Sequence, residues 1–292
     1  MRPLRSLRRR SPRSVGMSGL HYDPAFLSPG DRAELVTWID SLQPLWEQRF
    51  SKNNPPPEGR EQRWLARPVY WLGNWQFACL DYYRPPHGVK GRCVQAEPFP
   101  PLLQRLVSEV EETAREELRP EDVPTGWKLN TCLVNFYGTR ALGGKREDLA
   151  RVGEHKDFEP GPVGSISVGE KALFQFVQSH KPGAREAVVA QQWLEDGSLQ
   201  IFGGERWKER LFHRVQRVEK GGGHRFAGHV EGFETRRVNL TLRYVPDEHV
   251  APFRRLSPAQ REDVRGYVET LARSSPFFAR ALAGMSGGDS GR

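Results

Sequence analysis

Two histidines and an aspartate set inside β-rich runs are the side chains of this chain best suited to chemistry. His155 and Asp157 flank Lys156, and in an extended strand residues two apart point to the same side. The imidazole and the carboxylate therefore converge, while the lysine points away. His213 sits in the apolar run Leu211-Phe212-His213-Arg214-Val215, where a polar group costs free energy unless it has a partner. Two histidines and one carboxylate make the facial triad that suits non-haem Fe(II), with three coordination positions left open. By itself H-x-D is a weak signal, because an exposed ion pair or a satisfied core histidine would read the same way.

A second group gives the first its weight. In Arg237-Val238-Asn239-Leu240-Thr241-Leu242-Arg243 the period is two. Arg237, Asn239, Thr241 and Arg243 share one face, and Val238, Leu240, Leu242 and Tyr244 share the other. Two guanidiniums and an amide on an inward face require an anion, and a dicarboxylate would satisfy them through bidentate bonds. The competing reading is the solvated face of an edge strand. Asn135 and Tyr137, again two apart, add neutral donors.

Taken together, N-x-Y (Asn135, Tyr137), H-x-D (His155, Asp157), the distal His213 and R-x-N-x-T-x-R (Arg237 to Arg243) resemble the motifs of the AlkB family. These are Fe(II)/2-oxoglutarate dioxygenases. Ser165-Ile166-Ser167-Val168-Gly169 and the following Phe174-Gln175-Phe176 are similar to the family's S-x-S-x-G strand and its F-x-F. H-x-D with a distal histidine marks only the wider superfamily; R-x-N-x-T-x-R with N-x-Y is more specific. The resemblance covers residues 128–246 and implies a mainly β protein with flanking helices and a double-stranded β-helix (jelly-roll) core. It implies that His155, Asp157 and His213 hold Fe(II), and that Asn135, Tyr137, Arg237, Asn239 and Arg243 contact 2-oxoglutarate, with O2 as the other co-substrate.

The implied reaction couples decarboxylation of 2-oxoglutarate to hydroxylation of an N-alkyl carbon on a nucleobase, followed by aldehyde release. No catalytic group beyond the metal site is needed. Glu159, two beyond Asp157, is carried over as a substrate contact. The implied partner is DNA or RNA, single-stranded or with a flipped base. Two alternatives stay open: the same iron chemistry on RNA only, on a protein side chain or on a small molecule, and an inactive nucleic-acid-binding module.

The elements that must position these groups can be read at low resolution. Ser28-Pro29-Gly30-Asp31 opens a helix carrying Leu35, Trp38, Ile39 and Leu42, which ends before the Asn53–Pro57 breaker. A second helix follows Pro100-Pro101, with Leu102, Leu103, Leu106, Val107 and Val110 on one face. Between them Trp64, Tyr70, Trp71, Trp75, Phe77, Tyr82 and Tyr83 interleave with Arg63, Arg67 and Arg84. Two readings stand for this segment: most of its rings pack the junction between helices and sheet, or some, with Trp71 and Trp75 as candidates, stack on a base, at the place where the resemblance puts the substrate lid. Arg206, with Lys208 and Arg210, is a candidate phosphate contact, against the reading of each as a solvated loop charge. Residues 128–246 are short strands with turn signals between them. The Gly143–Asp148 and Gly221–Gly223 segments read as inserted loops. From Ser257 helical spacing returns in Val264, Tyr267, Val268 and Leu271.

The chain of 292 residues thus divides into a basic, disordered tail (1–16), a helical N-terminal part with the lid (17–127), the jelly-roll core (128–246), a C-terminal helical extension (247–285) and a disordered tail (286–292). The net charge of +8 is misleading, because six arginines precede the first acidic residue, Asp23, and the remainder carries only +2. The tail could be a nucleic-acid arm, a transit-like segment or an extension upstream of Met17. Cys79, Cys93 and Cys132 suit neither a disulfide scaffold nor a zinc ribbon, as expected of an intracellular protein. No run approaches the ~20 apolar residues of a membrane span. A monomer is expected.

Overall fold

Alternation of side chains builds the centre of this fold. The computed structural model describes residues 19–48, 55, 58–59, 64–75, 93–178, 187–218 and 224–286. In chain order its strands are β1 (Leu20–Asp23), β2 (Leu45–Gln48), β3 (Trp64–Trp75), β4 (Cys93–Gln95), β5 (Thr131–Leu142), β6 (Lys145–Asp148), β7 (Val152–His155), β8 (Val163–Gly169), β9 (Ala172–Val177), β10 (Val188–Leu194), β11 (Leu199–Phe202), β12 (Phe212–Val218), β13 (Phe233–Arg243) and β14 (Val250–Ala251). Ten of them form one sheet, in the order β1-β11-β8-β13-β5-β3-β4-β14 with β2 on β3 and β6 on β5. The other four form a second sheet, β10-β9-β12-β7. Apart from the parallel β4–β14 pair, the named strands pair antiparallel. The result is the expected jelly-roll arrangement of a large sheet facing a small one.

One face of the large sheet is apolar and sits under helices. Cys132, Val134 and Phe136 of β5, with Val238, Leu240 and Leu242 of β13, join a single core. To it α1 (Pro29–Ser41) contributes Leu35 and Ile39, α2 (Pro101–Glu117) contributes Leu103, Leu106 and Val110, and α3 (Pro258–Leu271) contributes Val264 and Val268. Burying each such side chain stabilises the fold by roughly 1.5–3 kcal/mol. Both expected helices start where their caps dictate: Ser28 Oγ accepts the Asp31 N–H at 3.1 Å, and Pro101 occupies the first turn of α2. Ser257 and Gln260 form a reciprocal capping box at the start of α3. A final helix, α4 (Pro276–Ser286), buries Phe278 in the same core. Among the described residues no helix is long and apolar enough to cross a membrane.

The opposite face of the large sheet looks toward the small one. There Phe174, Phe176, Phe202, Trp207 and Val215 make a second, smaller cluster. Register aligns the polar groups on this face: Asn239 pairs with Asn135 on one side and Ser167 on the other, and Arg237 pairs with Tyr137 and Gly169. At Gly169, with φ of +95°, a Cβ would come within 2.5 Å of the Arg236 carbonyl oxygen. Only glycine lets β8 and β13 close together beside Arg237.

Three expectations about organisation need correction. Residues 17–127 are not helical alone, because β1 pairs with β11 and β3 with β5, so both strands belong to the large sheet. Tyr70, Trp71 and Leu72 are buried in β3, which makes this stretch sheet and not a lid. The Gly143–Asp148 segment is no irregular loop, since β6 continues the β5 ladder from Leu142–Lys145 to Thr139–Asp148 as an exposed hairpin. The tail 1–16, most of the Asn53–Pro57 breaker, Phe77, Tyr82, Tyr83, Arg63, Arg84, Cys79, Gly221–Gly223 and residues 287–292 lie outside the described residues.

Candidate metal centre and co-substrate pocket

His155 closes β7, and pairing of β7 with β12 sets it directly across from His213. Their ring centroids are 4.2 Å apart. Asp157 lies beyond the end of β7, in the loop that follows, so one continuous strand does not explain the convergence. Convergence is still achieved, because Asp157 Oδ2 stands 3.4 Å from His213 Nε2. Donor atoms of His155, Asp157 and His213 all lie within 4.8 Å of one another, a group able to hold a metal ion.

The tautomer of His155 follows from its neighbour. Its Nδ1 is 2.8 Å from the Gly153 carbonyl oxygen, which can only accept, so Nδ1 carries the proton and Nε2 keeps a lone pair for a metal. Burial, with the neighbouring His213, pushes His155 down to about 3, so the ring is neutral over the physiological range. Burial also works to raise Asp157, but the Arg243 guanidinium and His213 outweigh it and hold the carboxyl well below the usual range. Arg243 donates from Nε and Nη2 to the same oxygen, Oδ1, at 2.9 and 2.7 Å. The other oxygen is left facing His213.

At the His213 ring the packing is aromatic. Phe174 stacks on it at 5.4 Å with planes 15° apart, and Phe202 meets it edge-on at 5.1 Å. These rings fix the imidazole and keep water from its back. His213 Nδ1 has no hydrogen-bond partner among the described residues.

Arg237 marks the other end of the recess. It is 1% exposed, its Nη2 donates to Ser167 Oγ at 3.0 Å, and its guanidinium lies 4.9 Å from the Tyr137 ring centroid. Nε and Nη1 find no partner among the described residues. A buried guanidinium with two unsatisfied donors is costly, and an incoming carboxylate would satisfy both. Burial lowers its pKa for the same reason. Asn239 Nδ2 bonds Ser165 Oγ and the Ile166 carbonyl at 2.8 and 3.1 Å, bracing the floor beside it. The donor set thus fits both groups: nitrogen and carboxylate ligands at one end, an unsatisfied guanidinium at the other. The recess, about 530 Å³ with its open mouth, includes all eight metal and co-substrate candidates in its lining.

Asn135 lines the recess but is tied to the protein. Its Nδ2 donates to Thr241 Oγ1 at 3.2 Å and the Leu133 carbonyl at 3.3 Å, while Oδ1 accepts from Arg67 Nε at 2.8 Å. Arg67 is a residue that motif reading passed over as one member of the aromatic-arginine segment. It also lines the recess, with its guanidinium 5.0 Å from the same Tyr137 ring that Arg237 approaches. Its sequence signal is the alternation of β3, which puts Arg67 on the face of Val69 and Trp71.

The substrate candidates fare differently. Glu159 is buried, its Oε1 3.5 Å from Arg243 Nε and its carbonyl accepting from Lys208 Nζ, and it does not line the recess. The strand ends at His155, so the rule that put Glu159 on the Asp157 face no longer applies. Trp71 is 4% exposed and gives its indole N–H to buried Glu47 at 3.2 Å, leaving no face for a base. The Trp75 side chain lies outside the described residues. Arg206 is exposed on a π-helical turn, Glu205–Arg210, with its guanidinium over Trp207 at 4.8 Å. Lys208 on that turn is buried and Arg210 pairs with Glu205, so neither is a free phosphate contact.

Comparison with known proteins adds a family. The family model of the 2OG-Fe(II) oxygenase superfamily matches residues 19–243. No curated protein matches this sequence. Among solved structures, OsALKBH1 is similar at 21% identity and a TM-score of 0.49, over 79% of this chain and 100% of its own. A bsmA homolog from Methylobium petroleophilum PM1 is similar at 13% identity and a TM-score of 0.33, over 75% and 83%. YcfD, a ribosomal oxygenase from Escherichia coli in complex with cobalt and succinic acid, is similar at 14% identity and a TM-score of 0.28, over 89% and 62%.

Proposed function

This chain belongs to the 2OG-Fe(II) oxygenase superfamily and is a dioxygenase that uses Fe(II), 2-oxoglutarate and O2; we propose that it oxidatively removes alkyl groups from the nitrogens of nucleobases in DNA or RNA. His155, Asp157 and His213 would hold Fe(II). Arg237 would take the distal carboxylate of 2-oxoglutarate, beside Tyr137 and Asn239. When bound, iron and co-substrate supply oxidation of a C–H bond coupled to loss of CO2 from 2-oxoglutarate, which leaves as succinate.

The remaining work belongs to the protein. Arg243 aims Asp157 by occupying Oδ1 and leaving Oδ2 toward His213. Gly153 sets the His155 tautomer through its carbonyl, and Phe174 and Phe202 clamp His213. Ser167 orients Arg237, so the co-substrate would meet a preformed fork and lose little free energy to reorganisation.

The observation that carries the substrate reading is one register: Asn239 and Arg237 of R-x-N-x-T-x-R face Asn135 and Tyr137 of N-x-Y across paired strands, in the pattern that resembles the AlkB family. A base must leave its stack to reach such a recess, so single strands or flipped nucleotides are the expected partners. The test incubates protein, Fe(II) and 2-oxoglutarate with methylated single-stranded DNA, RNA or peptide and weighs the products. Loss of a methyl group from an oligonucleotide is expected. Turnover of the peptide alone would overturn the nucleic-acid reading.

A further inference from the structure

The charges around the recess are unevenly matched. Its lining includes Arg67, Arg214, Arg237 and Arg243 against one carboxylate, Asp157. Two of the four arginines are paired with a carboxylate. Arg214 donates to Glu154 at 2.9 Å, Arg243 to Asp157 at 2.7 Å, and Arg237 is the fork that would take the distal carboxylate of 2-oxoglutarate. Arg67 is different. Its Nε donates to the neutral amide of Asn135 at 2.8 Å, its guanidinium lies over the Tyr137 ring, and it has no ion pair among the described residues.

The Arg67 and Arg237 guanidiniums lie 5.0 and 4.9 Å from the same Tyr137 ring centroid, and burial together with the nearby Arg67 charge lowers the pKa of Arg237. Fe(II) and the two carboxylates of 2-oxoglutarate cancel, and Asp157 cancels Arg243. The loaded recess therefore retains an excess of positive charge. Buried Glu159 faces Arg243 and Lys208 and does not line the recess.

We propose that Arg67 is a specificity-determining residue that disfavours positively charged alkylated bases, and that the site takes N-alkylated bases that are neutral. The inference rests on the nucleobase reading above and narrows it. Some alkylated bases are cations at neutral pH, because an alkyl group on a ring nitrogen that carries no proton in the neutral base adds a positive charge, lost only when the exocyclic amine gives up a proton at alkaline pH; 1-methyladenine is one. Its isomer N6-methyladenine is neutral and of identical mass. Near one uncompensated guanidinium in a partly solvated recess, the difference between them is about tenfold in affinity, the scale of one charge–charge interaction there.

The experiment measures binding and turnover separately. Wild type, Arg67→Gln and Arg67→Lys, each loaded with Mn(II) and 2-oxoglutarate, are titrated by fluorescence anisotropy with single-stranded oligonucleotides carrying either isomer. Wild type is expected to bind the neutral isomer about tenfold more tightly. Arg67→Gln should shrink the preference to about twofold or less, and Arg67→Lys should keep it despite losing the Nε bond to Asn135. Equal or tighter binding of 1-methyladenine by wild type would overturn the proposal. So would loss of the preference in Arg67→Lys, which would make the effect one of geometry at Asn135 and not of charge. Demethylation with Fe(II) is then read by mass. A binding preference with no demethylation of either oligonucleotide supports charge selection and sinks the dealkylation reading; binding of neither sinks both.

Discussion

Replacing Arg237 by methionine tests the co-substrate end of the site most directly. The guanidinium is 1% exposed and two of its nitrogens have no partner among the described residues. A carboxylate seated there would gain two charge-assisted bonds, each worth about 1.5–3 kcal/mol net. Allowing for water replacing part of that, about 3–4 kcal/mol is lost on substitution, a weakening of roughly 10²–10³-fold in 2-oxoglutarate affinity. The ligand-free protein should respond in the opposite sense. Two buried donors no longer need desolvation, so Arg237→Met should gain about 1–3 kcal/mol of unfolding free energy before co-substrate is added. Calorimetric titration of 2-oxoglutarate into the Mn(II)-loaded protein reads the first effect, and urea unfolding of the metal-free protein reads the second. Arg237→Lys keeps the charge but not the fork and should fall between the two. Binding within about threefold of wild type, or a metal-free Arg237→Met that is less stable, would refute the claim that this guanidinium is held unsatisfied for a carboxylate.

Other outcomes follow from the same geometry. Arg243→Met strips Asp157 of its buried partner and should destabilise the metal-free protein by about 3–5 kcal/mol, with bound metal recovering part of the loss, as read by urea unfolding with and without Mn(II). Phe174→Ala removes the ring stacked on His213 and should cost about 3–5 kcal/mol and weaken Mn(II) binding, checked by melting and metal titration. With pH the metal-free protein should be acid-labile. His155 has a folded pKa of about 3 against 6.5 unfolded, so its neutral form contributes stability that is complete above about pH 6.5 and lost as pH falls toward 3. Asp157, held below the usual 3.8, adds a contribution that disappears last, at still lower pH. Urea unfolding of wild type and His155→Gln at stepped pH should show a shallower decline in the variant between about pH 6.5 and 4; equal slopes would count against it.

Much of the site was legible because strand periodicity is a local property. Arg237, Asn239, Thr241 and Arg243 share a face for the same reason that Val238, Leu240 and Leu242 share the other, and no tertiary information is needed to say so. Helix starts at Ser28 and Ser257 were legible through caps that act within one turn. Reading failed where the period stopped. β7 ends at His155, so Asp157 and Glu159 obey loop geometry, and Glu159 turns to Arg243 and Lys208. The aromatic density of Trp64–Tyr83 left stacking and packing both open, because composition does not say which side a ring faces; β3 buries Tyr70 and Trp71 between strand neighbours, as packing requires.

From the chain alone came the donor types, the shared polar face of Arg237 to Arg243 and the capped helices, each set by residues a few positions apart; the jelly-roll class came with the family resemblance. Only the tertiary structure decided the rest. It brought His213 across from His155 through the β7–β12 pairing, and it gave Arg243 to Asp157 from the opposite sheet. It also left Arg237 with two open donors and carried Arg67 into the recess. Those contacts join residues distant along the chain, and their energies depend on burial and register that no local pattern encodes.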